Sequence, residues 1–471
     1  MQQVTESKSR RGQFFKLLWE AITGGEKEYT SGSIDKAIFL LAVPMILEMV
    51  MESTFALVDI FFVGKLGKAA VASVGLTESV LTIVYSVAMG LSMASTAVIA
   101  RRTGEKDAEG AAHSAMQAIY LMTGISVLVS LVGLFFSDKL LLLMGASADV
   151  VSVGHGYIKI MLTGNIVIML LFLINGIFRG AGNAAIAMRS LIIANVLNIL
   201  LCPALIYGFG PLPAMGLEGA AVGTTIGRGV GVLYQLYHLF IKKDGISIAA
   251  RHLGFDPAVV KKILKIAAGG AAQFLIGSAS WIFLVRIISI FGEEALAGYT
   301  IAIRMIIFTI LPAWGMANAA ATLVGQNLGA QLPERAEKSV WRAAFFNMVF
   351  LGVVSVVYFL FAPFLMSFFS TDPEVLRYGA QCLRLVTLGY IFYAYGMVIS
   401  QSFNGAGDTR TPTIINLAGF WGFQIPLAYL LAVVAGMGPA GVFVAISIAE
   451  SAIALAGILI FKKGRWKQVK V

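Results

Sequence analysis

The chain has 471 residues, of which 58% are hydrophobic and only 13% charged, and its formal net charge is +10. A soluble chain carries about 25% charged residues. So much apolar side chain behind so little polar surface excludes a soluble enzyme, a disordered chain and a nucleic-acid scaffold, and leaves an all-α polytopic membrane protein.

Residues 1–35 read as a polar, basic cytoplasmic tail, with no cleavable signal expected ahead of the first span. Within the tail, QFFKLLWEAI at 13–22 is too short to cross, and Phe14, Phe15, Leu17, Leu18 and Trp19 suit an interfacial helix. Apolar runs able to cross a ~30 Å core then recur at 38–63, 70–98, 114–136, 157–178, 188–208 and 217–240. A basic linker at 241–264 follows. Six more runs lie at 265–290, 295–324, 340–368, 378–403, 412–434 and 440–461, before a basic tail at 462–471. The sequence thus predicts twelve transmembrane helices in two six-helix lobes, 36–240 and 265–461. The runs are too long for strands of a barrel.

Lys and Arg cluster before the first span, after the second, between the sixth and seventh, and at the end. The other side shows mainly Lys65, Lys68, Lys139 and Arg377. Both termini are therefore expected in the cytoplasm, with the protein in the cytoplasmic (inner) membrane. Cys202 and Cys382 stand in apolar surroundings and imply no disulfide framework.

The halves repeat at an offset of 225: FRGAGN at 178–183 returns as FNGAGD at 403–408, Gly90 as Gly315 and Gly104 as Gly329. Beyond the fifth span the offset slips by three, where GLEG at 216–219 meets GPAG at 438–441. Six spans per half make this a parallel repeat, with a pseudo-two-fold axis along the membrane normal. There is no Walker A motif, so uphill transport has to draw on an ion gradient. No nucleotide or nucleic-acid partner, cofactor or enzymatic nucleophile–base pair is expected. The four His are scattered without a haem pattern.

The first span carries Glu48, Glu52 and Asp59. At 100° per residue Glu52 and Asp59 fall about 20° apart, and Glu48 about 40° from Glu52, so the three share one stripe. Hydrocarbon does not tolerate such a stripe, which has to face the bundle interior or water. Pro44 marks a bend point in the same helix. Glu78, Tyr157, Asn175, Asn195, Asn198, Thr224 and Arg228 lie at similar depths in the first half. Asn, Thr and Tyr oxygens around an acid suit either a Na⁺ ion or a proton held by a desolvated carboxyl. The second half offers Gln273, Arg286, Arg304 and Glu450 for a polar cavity, with Glu450 paired to one of the arginines, and aromatics such as Trp281, Trp314, Phe308, Tyr393 and Tyr395 for a flat or cationic substrate.

Over its whole length the chain resembles the multidrug and toxic compound extrusion (MATE) family. The resemblance is carried by Pro44 with VDIFFVGKLG at 58–67, ASTAVIARRTG at 94–104, FRGAGN at 178–183, NILLCP at 198–203 and GLEGAAVGT at 216–224. ALAGYTIAIR at 295–304, LVGQNLGA at 323–330 and FNGAGDTRTP at 403–412 continue it. It implies two lobes around a V-shaped cleft, alternating access, a functional monomer in the lipid bilayer, and export of small organic cationic or amphipathic compounds against H⁺ or Na⁺. It also implies roles for single residues. Asp59, fifteen residues after Pro44, is the central coupling acid, with Tyr157, Asn175, Asn198 and Thr224 around it; Asp59, Asn175, Asn198 and Thr224 are the cation ligands if the ion is Na⁺. The family's fifth-span Asn-x-x-x-Asp-Pro reads here as Asn198 to Cys202-Pro203. A soft, neutral thiol replaces a hard ligand, so H⁺ is the expected ion and Na⁺ the alternative, with Glu52 or Glu78 supplying the missing charge. A lipid-linked oligosaccharide flippase of the wider superfamily is the competing function, kept open by Arg228, Arg286 and Arg304 for a pyrophosphate headgroup. A channel would need a repeated filter element, and none is present.

Overall fold

A computed structural model describes residues 2–25, 29–211 and 213–471. Among them all regular structure is helical. A tail helix α1 (Gln2–Thr23) precedes α2 (Ile34–Val63), α3 (Lys68–Gly104), α4 (Ala108–Leu143), α5 (Ala148–Thr163), α6 (Asn165–Gly180), α7 (Ala184–Tyr207) and α8 (Leu217–Tyr237). The second half has α9 (Pro257–Ile288), α10 (Glu293–Gly329), α11 (Pro333–Ser367), α12 (Pro373–Thr387), α13 (Tyr390–Gly405), α14 (Arg410–Asn416), α15 (Ile425–Tyr429) and α16 (Pro439–Lys462). Eight stretches are long and apolar enough to cross a bilayer, and two bent pairs raise that number to ten. The charge-bearing α2 and the glycine-rich α8 complete twelve.

Several helix starts are fixed by side chains. Asp107 accepts from the amide of Gly110 at 2.8 Å, Asp256 from Ala258 at 2.9 Å and Asp372 from Glu374 at 2.9 Å, each satisfying an N–H that the first turn leaves open. The last two caps are followed by Pro257 and Pro373 in the first turn, where a missing N–H costs nothing.

The repeat seen in the sequence is a repeat of elements. The offset of 225 carries α3 onto α10 residue for residue, and α6 onto α13. It also relates two breaks that the apolar runs do not reveal. The fourth span, read as 157–178, is α5 and α6 bent by 42° at Gly164, and the tenth, read as 378–403, is α12 and α13 bent by 58° at Leu388 and Gly389. A glycine at each break lowers the cost of leaving helical geometry. The eleventh span is also irregular, with π-helical turns at Leu417–Gln424 and Leu430–Val434 around α15. Pro44 is buried inside α2, which stays helical through it.

The lobes meet through the helix ends near the start of α2, and glycines let them touch. A Cβ on Gly90 would overlap the backbone of Ala267 and Ala271 in α9; one on Gly315 would lie 2.7 Å from Ile46 Cα in α2. Farther along, Gly104 meets the Gln326 carbonyl and Gly329 the Arg101 carbonyl. Each contact is the repeat image of the other, as a pseudo-two-fold requires. One consequence departs from lobes cut at 36 and 265. The first turns of α2, Ala37 to Met45, belong to the core of the second lobe, and Ile263, Ile266 and Ala267 of α9 to that of the first. The first helix of each half crosses over before joining its own lobe.

The linker is shorter than its composition suggests, because α9 begins at Pro257 and takes up Lys261 and Lys262. It docks on α4: Gln117 donates to the Gly254 carbonyl at 2.7 Å, Tyr120 to that of Leu253 at 2.9 Å, and Glu109 holds both Arg251 and His252. In α1, Phe14, Phe15 and Trp19 are exposed, and the Phe14 ring meets Phe39 of α2 with centroids 5.8 Å apart.

Candidate polar centre of the N-terminal lobe

The carboxylate stripe of α2 points into the first lobe, and the structure divides it into three stations. At the far end Asp59 is half-buried and receives three donors. Asn198 Nδ2 of α7 stands 3.1 Å from Oδ1, Cys202 Sγ 3.4 Å from the same oxygen, and Thr224 Oγ1 of α8 donates to Oδ2 at 3.1 Å. Asn198 also lies 3.2 Å from Thr224. Asn198 and Cys202 are one helical turn apart, so both reach the same oxygen.

Two turns back, Glu52 is ion-paired to Arg228 at 2.8 Å. The guanidinium lies 4.4 Å from the centroid of Phe55 and 5.9 Å from that of Phe172. The cation is held by the ring faces and one carboxylate oxygen, while Arg228 Nε and Nη1 and Glu52 Oε2 are buried without a hydrogen-bond partner among the described residues. At the third station Glu48, 1% exposed, accepts from Arg179 at 2.7 Å and Asn175 at 3.0 Å. Arg179 also donates to Ser92 at 2.8 Å, and Gln235 donates to both Asn175 and Ser190.

This geometry revises several assignments. Asn175 is bound to Glu48, not to Asp59, because it lies on α6 nearer the start of α2. Glu52 is neutralised by Arg228 and does not supply the charge absent at Cys202. Glu78 is exposed on α3 and makes no hydrogen bond to Asp59. Tyr157 is buried on α5. In the second lobe Gln273 and Glu450 line one cavity, but Arg286 and Arg304 are exposed and outside it. Thirteen residues separate Gln273 from Arg286, which turns Arg286 about 220° round the helix, away from the cavity. The pairing of Glu450 with either arginine is therefore absent. Arg179 and Gln235 are the functional-looking residues that sequence reasoning missed. The available signal was Arg179 itself, a charge inside the repeated FRGAGN turn opposite a buried acid.

The repeat shows how far the lobes have diverged. At the offset of 225, and 222 for the last span of each half, Asp59, Asn198, Cys202 and Thr224 correspond to Leu284, Phe423, Leu427 and Ile446. The Asp59 station has no polar counterpart. Glu48 and Arg179 correspond to Gln273 and Asn404, which are paired in the same way at 3.0 Å but as neutral amides.

The MatE family model matches residues 44–204 and 271–430. Over 438 residues the chain is 27% identical to the probable multidrug resistance protein NorM of Thermotoga maritima, covering 92% of this chain and 94% of the relative. It is 24% identical to the probable multidrug resistance protein YpnP of Bacillus subtilis, covering 94% and 98%. A solved structure described as the outward-facing conformation of a multidrug resistance MATE family transporter of the MOP superfamily superposes with a TM-score of 0.87 at 28% identity, covering 93% and 98%. The family model thus falls once on each half of the repeat, and the chain belongs to the MatE family: it is a multi-pass membrane transporter for multidrug efflux, not an enzyme.

Proposed function

We propose that this transporter exports small organic cations and cationic amphiphiles by antiport with H⁺, and that Asp59 carries the proton. The observation that carries the reading is the set of atoms around Asp59. Both carboxylate oxygens accept hydrogen bonds from Asn198, Cys202 and Thr224, and the place where a second hard acid would stand is a thiol. A proton needs one carboxyl and no ligand cage. Asp59 is half-buried; in this reading it takes up a proton while the cleft is open on one side, and release follows when the cleft reopens on the opposite side. Topologically, the reading puts both termini and the glycine-paired helix ends on the cytoplasmic face, the cleft open outward, the lobes at 36–240 and 265–461 joined by the linker, and α1 along the membrane surface through Phe14, Phe15 and Trp19. The working unit is the monomer, since both lobes come from one chain. A flippase cavity for a pyrophosphate headgroup is disfavoured, because Arg228 is neutralised by Glu52.

The test uses reconstituted vesicles with a pH gradient or a Na⁺ gradient imposed alone. Ethidium transport is expected with the pH gradient. Transport driven by Na⁺ with the pH clamped equal on both sides overturns the choice of ion. Cys202→Asp is expected to raise the Na⁺ dependence, since it puts a hard ligand one turn from Asn198; an unchanged Na⁺ response counts against the argument from the thiol.

A further inference from the structure

The second lobe contains a cavity of about 260 Å³. Its walls carry Phe274, Trp281, Trp314, Tyr393 and Phe420, and one acid, Glu450 of α16, is among the lining groups. The Phe274 and Trp314 rings lie with centroids 5.6 Å apart. Met93 of α3 also lines the cavity, so its rim reaches the first lobe. No ion pair or hydrogen bond to Glu450 is present among the described residues.

The repeat states what is missing. Glu450 occupies the position of Arg228, at the same place in GPAG-led α16 as Arg228 in GLEG-led α8. In the first lobe the guanidinium fills the space, stacked on Phe55 and Phe172 and paired with Glu52. In the second lobe the position of Glu52 is Gly277, which lines the cavity. The sign of the charge is reversed, the opposing side chain is deleted, and the volume is left open. The first lobe holds an internal cation between aromatic faces and a carboxylate; in the second, Ser280 and Met397 stand at the positions of Phe55 and Phe172, and the cavity has aromatic side chains of its own around a carboxylate with no cation.

We propose that this cavity binds a small aromatic organic cation, with Glu450 as counter-charge and Trp281, Trp314 and Tyr393 as the faces on which the cation lies. Its chemistry is that of quaternary ammonium and guanidinium recognition, where ring quadrupoles and a desolvated carboxylate act together. The volume suits an aromatic cation of one to four rings, and the carboxylate excludes an anionic headgroup. The binding step rests on the export reading only for its place in a transport cycle, because it calls for no gradient.

The purified full chain in detergent is titrated with ethidium, read by fluorescence polarisation, and with benzyltrimethylammonium as competitor. Saturable binding is expected. Glu450→Gln should weaken it at least tenfold while the melting temperature and elution volume stay unchanged, and Trp314→Leu should weaken it as well. If Glu450→Gln does not fold, Glu450→Asp, which keeps the charge, should bind and Trp314→Leu should bind more weakly than wild type. Wild type that binds neither cation, or Glu450→Gln that binds as wild type does, overturns the site. So does binding lost in Asp59→Asn and kept in Glu450→Gln, which moves the cation to the first lobe. A chain that binds ethidium in this way but exports none in vesicles sinks the export reading and leaves the site standing.

Discussion

Replacing Asp59 with Asn should reduce export of organic cations to background, a loss of at least about tenfold, while the chain still folds and reaches the membrane. The substitution keeps size and shape and removes the only carboxyl at its station. Three donors now point at the carboxylate, from Asn198, Cys202 and Thr224. An amide accepts through its oxygen but presents its NH₂ to the other donors, so one or more of these bonds is lost at a cost of about 1 kcal/mol each. That is tolerable for stability and fatal to proton carriage. Efflux of ethidium from intact cells, with surface expression measured in parallel, checks it. Efflux near wild type would remove Asp59 from the coupling step. Asn198→Ala should retain part of the activity, because Asn198 adjusts the acid and carries no proton.

The sequence made the repeat and the acid stripe legible because both are properties of spacing. Glycine pairs at a constant offset survive wherever backbones touch, and three carboxylates at helical period are costly unless they face inward. Choosing partners for those acids is another matter. Asn175 and Asn198 look alike as intramembrane amides, yet α6 brings one to Glu48 and α7 brings the other to Asp59. The bend of 42° at Gly164, between α5 and α6, likewise has no signature in hydropathy. Arg286 and Arg304 failed for a simpler reason. Arg286 is turned away round α9, and Arg304 lies ten residues, about 15 Å along α10, from Trp314 at the cavity; a count of intramembrane charges carries neither fact.

The two lobes share a frame and differ in charge. In the first, every acid of the α2 stripe has partners: Arg179 for Glu48, Arg228 for Glu52, and three neutral donors for Asp59. Two of the three are locked in ion pairs, and breaking such a pair by removing one partner costs about 3–5 kcal/mol. Asp59 is the acid without a fixed cation, so it can change protonation without dismantling the lobe. The second lobe replaces the Glu48–Arg179 pair with Gln273 and Asn404 and the Asp59 station with Leu284, Phe423, Leu427 and Ile446. A first lobe with the acid stripe of α2 and a second with one acid, Glu450, among aromatic side chains is a divergence that duplication can reach one residue at a time.

The second large effect is expected at the glycines that join the lobes. Gly104→Val together with Gly329→Val should hold open the end of the molecule where the lobes now touch. At each position a Cβ would overlap a backbone carbonyl, that of Gln326 or of Arg101, and a backbone carbonyl cannot swing aside as a side chain does. Overpacking costs about 1–3 kcal/mol per site. Every 1.4 kcal/mol is roughly tenfold in an equilibrium, so two sites acting on one interface move the closed state from dominant to rare. The lobes themselves are untouched, since both contacts lie between them. Spin labels on Ala108 and Leu332, which are exposed at the start of α4 and just before α11 in opposite lobes, should report a longer and broader distance in the double variant than in the parent. Export should fall with it, because a cycle that cannot close one side cannot release cargo to the other. Gly75→Val supplies the comparison, since nothing lies within 4 Å of its Cβ position. Unchanged label distances in the double variant would mean that the glycine pairs are not what closes this face.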